Sequence, residues 1–233
     1  MKLHRIADLY VGIDFKYPTM TAQTVKFLSD DRPEIVDIAV WASNESIQSM
    51  MKEYPNLTAD NCEYLITGAG FYNTLIDFDG LMIHSSSVLY KGNAYLFSAD
   101  CGTGKSTHTQ LWKKVFGDEA EILNDDKPAV RIIDNIAYAY GTPWSGKTDL
   151  SVNARAPIKG ICFLERGKEN VIKRVEPGDI LKDIMKQTMR PSDEHRMDKL
   201  LSNLDKLLKI VPVYRLKCNM ELEAAHVSYE GMK

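Results

Sequence analysis

Residues 94–117 read AYLFSADCGTGKSTHTQLWKKVFG, and the reading of this stretch decides the fold. Ala94–Ser98 is rich in strand formers, and Lys105 to Phe116 suits a helix that Gly117 ends. Between them, Gly102-Thr103-Gly104-Lys105-Ser106-Thr107 forms the second half of a phosphate-binding loop of the pattern G-x-x-x-x-G-K-[ST]. Counting back from Gly104 puts Ala99 where such a loop opens with glycine.

Glycines at 102 and 104 let the backbone approach phosphate oxygens with no Cβ in the way. Successive N–H groups from Gly102 to Thr107 can turn inward as an anion nest at the positive end of the helix. Lys105 then reaches the β- and γ-phosphates, and the Ser106 hydroxyl is placed for Mg²⁺. Ala99 can stand in for the opening glycine if its backbone stays in a region open to other residues.

The remainder of the chain sets bounds. Its 233 residues suffice for one large core, and 44% hydrophobic with 26% charged residues is the balance of a globular protein. A net charge of −3 argues against nucleic acid as a partner, and the Lys113-Lys114 pair reads as a solvated helix face. Cys62, Cys101, Cys162 and Cys218 are too scattered for a zinc site or a disulfide framework. MKLHRIADLY has no apolar leader segment and no run is long enough to span a membrane, so a reducing, cytoplasmic setting is expected.

Leu9–Phe15 and Ile35–Trp41 read as strands. A short helix starts at Ser43-Asn44-Glu45, and a longer one, capped at Thr58–Asn61, runs to about Phe78 across Gly68 and Gly70. Leu81–Tyr90 is expected as one strand, turned through Lys91-Gly92-Asn93 into the strand that feeds the loop. Glu121–Leu123, Ala129–Ile133, Ile136–Tyr140 and Ile158–Leu164 follow as strands. Asp179–Met189 and Asp193–Ile210 then read as helices, Val211–Leu216 as a strand and Glu221–Glu230 as a closing helix. Without a strict βαβ rhythm, a mixed sheet is expected.

Transfer chemistry needs more than a phosphate cradle. It needs a metal, positive charge on the moving group, and a base for the acceptor. Asp125-Asp126, at a strand end one helix and one strand beyond the loop, can divide metal binding from proton removal. His84 lies on the strand paired with the one that feeds the loop, which can bring its imidazole towards the phosphates. Gly141-Thr142-Pro143-Trp144-Ser145-Gly146-Lys147 reads as a mobile loop over the site. In that reading Trp144 and Lys147 are substrate or phosphate contacts, with Arg155 as a further cation. His108, His195 and His226 are assigned to helices as core or surface residues.

Taken together, Ala99-Asp100-Cys101-Gly102-Thr103-Gly104-Lys105-Ser106, the preceding His84 and the following Asp125-Asp126 resemble the HPr kinase/phosphorylase and phosphoenolpyruvate carboxykinase branch of P-loop proteins. HPr kinases carry a histidine on the strand before a G-D-S-G-x-G-K-S loop, and an Asp-Asp pair after it. The resemblance covers residues 80–165 well and extends most closely to small stand-alone HPr kinase-like members; residues 1–79 do not resemble the N-terminal domain of HPr kinases. It implies an α/β (mixed α+β) fold: a P-loop kinase domain over residues 80–233, with an N-terminal α+β segment, 1–79, packed on it.

By the same resemblance, Lys105 holds the β- and γ-phosphates of ATP and Ser106 holds Mg²⁺. His84 and Asp126 stand beside metal and γ-phosphate and Asp125 is the base, the order of the two aspartates being open to reversal. The implied activity is phosphorylation of a Ser or Thr hydroxyl on a small protein or peptide, by an enzyme that is a homo-oligomer. A small-molecule acceptor and a nucleotide-binding module without turnover are the alternatives. Cys101 replaces the family's loop serine and Thr107 its glutamate. No counterpart of the phosphorylase signature or of the carboxykinase's oxaloacetate-binding arginines is found.

Overall fold

The computed structural model describes residues 1–233. The chain opens with the antiparallel strands β1 (Lys2–Ile6) and β2 (Leu9–Asp14), joined by Ala7 and Asp8. Helix α1 (Pro18–Thr24) follows, with proline in its first turn, and β3 (Ile38–Trp41) lies parallel to β2 to complete a 3-stranded sheet. Helix α2 (Asn44–Glu53) is capped by the Ser43 side chain, and α3 (Ala59–Leu75) by a Thr58–Asn61 capping box. Gly68 within α3 is a packing site: a Cβ there would lie 2.9 Å from the Trp144 ring.

The larger unit comprises β4 (Gly80–Met82), β5 (Ser85–Tyr90), β6 (Asn93–Ser98), α4 (Lys105–Phe116), β7 (Ala120–Asn124), β8 (Ala129–Ile133) and β9 (Ile136–Tyr140). It continues with β10 (Arg155–Arg166), β11 (Val171–Val175), α5 (Pro177–Lys186), α6 (Glu194–Ile210), β12 (Val213–Cys218) and α7 (Glu223–Met232). Its strands form one 9-stranded sheet in the order β4-β8-β9-β10-β6-β5-β7, with β12 on β10 and β11 on β12. Only β10 runs parallel to its neighbours β6 and β12; the other pairs are antiparallel. The fold is therefore mixed α/β with mixed sheets, as the irregular rhythm of strands and helices predicts.

Strand periodicity explains the layering. Along β6, Ala94 and Leu96 face the core under α5 and α6, while Tyr95 and Phe97 face the core under α4 and α7. In β10 the parity reverses: Ala156 and Ile158 lie on the α6 side, then Ile161 and Phe163 do. A register shift between Ile158 and Gly160 accounts for the change. It lets the first part of β10 pair with β9 and the second with β6 and β12. Burial on both faces from Gly160 to Leu164 explains why this part of the strand reads as an apolar run.

Several expectations need correction. Leu81–Tyr90 is two strands: β4 pairs with β8 and β5 with β6 and β7, and the chain changes partners at Ile83-His84. There Ile83 bridges to Thr188 and His84 N donates to Gln187 O at 2.7 Å, a tertiary pairing that no local pattern announces. Strands β1 and β11 and helix α1 were not expected. Strand β1 carries Lys2, His4 and Arg5 in place of a clean alternation, and β11 is a largely exposed edge. No helix is long and apolar enough to cross a membrane.

Candidate active site

Strand β6 delivers the loop and α4 leaves it. Ala99 is 5% exposed, with its methyl in the core beside Phe97 and Leu111, and it is not among the residues with positive φ. An ordinary backbone at this position is why alanine suffices. The left-handed conformations fall on Gly102 (φ 75°) and Gly104 (φ 122°), where a Cβ would meet little but the backbone itself disfavours any other residue. Thr103 N donates to Asp100 O at 3.2 Å, closing the turn. No side chain caps α4, so its first-turn amides face the loop.

Lys105 Nζ donates to Ala99 O at 3.0 Å. Burial draws its ammonium below the ordinary lysine range, opposed by the negative charges of Asp126, Cys101, Asp100 and Asp125. Asp126 is the first of these opposing charges, so the acidic pair lies within electrostatic reach of the loop lysine. Ser106 and Thr103 are half-buried, while Asp100, Cys101 and Thr107 are exposed along the loop.

The carboxylate pair is set by Asn124, the last residue of β7, which is fully buried. Its Oδ1 accepts from Asp126 N at 3.0 Å and Lys127 N at 2.7 Å, and its Nδ2 donates to Thr142 O at 3.0 Å. That turn sends the two aspartates to different surroundings. Asp125 is 6% exposed, accepting from Ser86 Oγ at 2.5 Å and Thr148 Oγ1 at 2.9 Å. The Ser86 hydroxyl proton is engaged by Asp125, so Thr109 Oγ1 donates to Ser86 Oγ at 2.8 Å, tying Asp125 to α4.

Asp126 is the more open of the two. His84 Nε2 stands 3.0 Å from its Oδ1, and Lys127 pairs with Oδ2. Burial pushes the Asp126 carboxyl up, but the hydrogen bond from His84 and the Lys127 charge outweigh it and hold it at about 2. His84 Nδ1 faces Gln187 Oε1 at 3.0 Å, and Gln187 Nε2 donates to Asp100 Oδ1 at 3.3 Å. Loop, histidine and carboxylate thus lie on one line of hydrogen bonds.

The segment 141–149, expected as a loop over the site, packs as a wall of it. Trp144 is fully buried, stacked on Phe71 at 4.8 Å, with Nε1 donating to Thr67 Oγ1 at 3.3 Å. It offers no surface to a substrate, so its expected contact role is withdrawn; it anchors the segment to α3. Gly146 N donates to Tyr64 Oη at 2.9 Å and Gln23 Nε2 to Gly146 O at 3.1 Å. Gly146 has φ of 75°, and a Cβ there would lie 2.9 Å from Asp126 Cβ. Lys147 is exposed on the short helical turn Gly146–Thr148 next to it.

Arg155 belongs elsewhere. It pairs with Asp8 and lies 3.2 Å from Tyr140 Oη, joining the N-terminal sheet to β9. β10 spans 12 residues, and its other end carries Arg166, whose Nη2 donates to Gly102 O at 2.6 Å. At about 3.3 Å per strand residue the two arginines are some 35 Å apart, so Arg155 cannot serve the loop. Arg166 borders a cavity of about 580 Å³ between the loop and the ends of β10 and β12, floored by Thr107, Leu111 and Leu164 and edged by Met220. Sequence reading missed Arg166, Gln187 and Ser86, whose partners lie far off in sequence, and Asn124, whose turn with Asp126 and Lys127 is local.

No protein-family model matches the sequence, and no curated protein matches it. Among solved structures, the HPr(Ser) kinase/phosphatase from Coxiella burnetii resembles the fold at 10% identity with a TM-score of 0.39. That match covers 64% of this chain and 94% of the other. So loose a superposition has no bearing on chemistry, which rests on the residues themselves.

Proposed function

We propose that this chain is an ATP- and Mg²⁺-dependent phosphotransferase that phosphorylates a Ser or Thr hydroxyl on a small protein or peptide. The observation that carries the reading is the line of hydrogen bonds from Asp100, on a loop built to receive phosphate, through Gln187 to the His84–Asp126 pair. Residues 80–233 form the P-loop unit in this reading, and residues 1–79 brace its wall.

The loop amides and Lys105 bind the β- and γ-phosphates, and the cavity beside Arg166 is large enough for the nucleoside. Ser106 and Asp125 offer the hydroxyl and carboxylate oxygens that suit Mg²⁺, and Ser86 and Thr109 tie Asp125 to α4, the helix that carries Ser106. When bound, Mg²⁺ neutralises charge on the phosphates. Of the two orders open to the aspartates, this bonding favours Asp125 on the metal side and Asp126 on the acceptor side. The acceptor oxygen bonds to the γ-phosphorus as the bond to the β,γ-bridging oxygen breaks. The electron pair leaves on ADP and the hydroxyl proton passes to Asp126. With its low proton affinity, Asp126 orients the hydroxyl first and takes the proton late, as a loose phosphoryl transition state permits.

Mg-ATP turnover and binding in Lys105→Ala test the reading. Both should be lost; an undiminished rate in that variant would refute the assignment.

A further inference from the structure

We propose that Gln187 is a positioning residue for the transfer step, holding the His84 ring between the loop and Asp126. The inference rests on the phosphotransferase reading. Gln187 follows α5 directly and is 8% exposed, and its own backbone is doubly held: its N donates to Asp183 O at 3.2 Å and Ile184 O at 3.1 Å. Its carbonyl accepts His84 N at 2.7 Å, where β4 gives way to β5. The side chain thus starts from a backbone already docked against the histidine it serves.

The amide uses both of its ends. Oε1 meets His84 Nδ1 at 3.0 Å and Nε2 donates to Asp100 Oδ1 at 3.3 Å. A partner at Nδ1 sets the plane of the ring. With Nδ1 so engaged, Nε2 is the atom that faces Asp126, at 3.0 Å. Ser98 Oγ donates to His84 O at 2.9 Å, so the backbone under the ring is also tied to the strand that feeds the loop. A planar group with a donor at one edge and an acceptor at the other is what this gap requires. Methionine has neither, and glutamate would turn a second carboxylate on Asp100. Gln187 touches no reacting atom; it acts through His84, and through Asp100 it makes the ring's placement depend on the loop.

The test uses the full chain, single-turnover hydrolysis of Mg-ATP with water as acceptor, and binding of Mg-ATP measured separately. Gln187→Met should lower the rate by about tenfold or more while leaving the dissociation constant within about twofold, since a misplaced group costs rate before affinity. Gln187→Glu should also lose rate, and adding Asp100→Asn should restore most of it, because the asparagine amide then donates to the new carboxylate. That rescue is beyond a merely structural role, and it remains readable if the methionine variant fails to fold. Wild-type rates in a folded Gln187→Met, or a double variant no better than Gln187→Glu, would overturn the proposal for Gln187 alone. A wild-type chain that binds Mg-ATP and never hydrolyses it would overturn the phosphotransferase reading, and this proposal with it.

Discussion

The His84 imidazole and the Asp126 carboxylate lie 3.0 Å apart although 42 positions separate them in the chain (126 − 84). One sits where the chain passes from β4 to β5, the other just beyond β7, and β5 pairs with β7. The sheet, through that pairing, is what makes them a unit.

That unit separates the two aspartates by experiment. Asp126→Asn should lower phosphoryl transfer by roughly 10²–10⁴-fold, the range for loss of a positioned proton acceptor, with Mg-ATP binding largely kept. Asp125→Asn should instead raise the Mg²⁺ concentration needed for half-maximal binding. Magnesium titrations of both variants decide it, and the reverse pattern would exchange the roles.

Acid stability should report the same carboxylate. Asp126 titrates at about 2 in the fold, below the ordinary carboxylate value, so the native state binds fewer protons there than the unfolded chain. The stabilisation is complete above about pH 4 and is lost as pH falls towards 2. Thermal melts from pH 5 to pH 2 should therefore fall less steeply in Asp126→Asn than in the parent. Parallel curves would contradict the assignment.

The two ends of β10 should behave differently. Arg166→Ala is expected to weaken Mg-ATP binding several-fold, since it removes a guanidinium beside Gly102 at the rim of the cavity. Arg155→Ala should leave nucleotide binding unchanged and cost stability alone, about 1 kcal/mol or less for so exposed a pair. Equilibrium binding and urea unfolding of the two variants form the comparison.

Gly146→Ala probes the wall formed by segment 141–149. The new methyl would press on Asp126 Cβ, 2.9 Å away, at a backbone with φ of 75°. A loss of about 1–3 kcal/mol in stability and a fall in turnover are expected, with Mg-ATP binding little changed. A fully active, fully stable variant would mean that the segment swings free.

How much of this was legible follows from where the information lies. The strand–loop–helix of residues 94–117 matches its expected bounds because its signals are local: strand formers, glycines at the left-handed positions, and Gly117 at the helix end. Asp125-Asp126 and His84 were visible as residue types at telling positions. Trp144 and Arg155 were misread for the opposite reason. An aromatic and a cation near a glycine-rich loop look the same on paper whether they face a ligand or are taken up by Phe71 and Asp8. The break at Ile83-His84 could not be read either, since its cause is the pairing with Gln187 and Thr188 more than a hundred positions on.

By itself, then, the sequence determined that a strand leads through a glycine-rich loop into a helix, that the sheet is mixed and that an acidic pair follows, because backbone conformation and local periodicity are short-range properties. Only the tertiary structure decided which aspartate opens towards the loop, which arginine reaches it and which side chain orients His84. Those outcomes depend on strand order, on the register shift in β10 and on burial, and each of these is settled by packing between segments far apart in the chain.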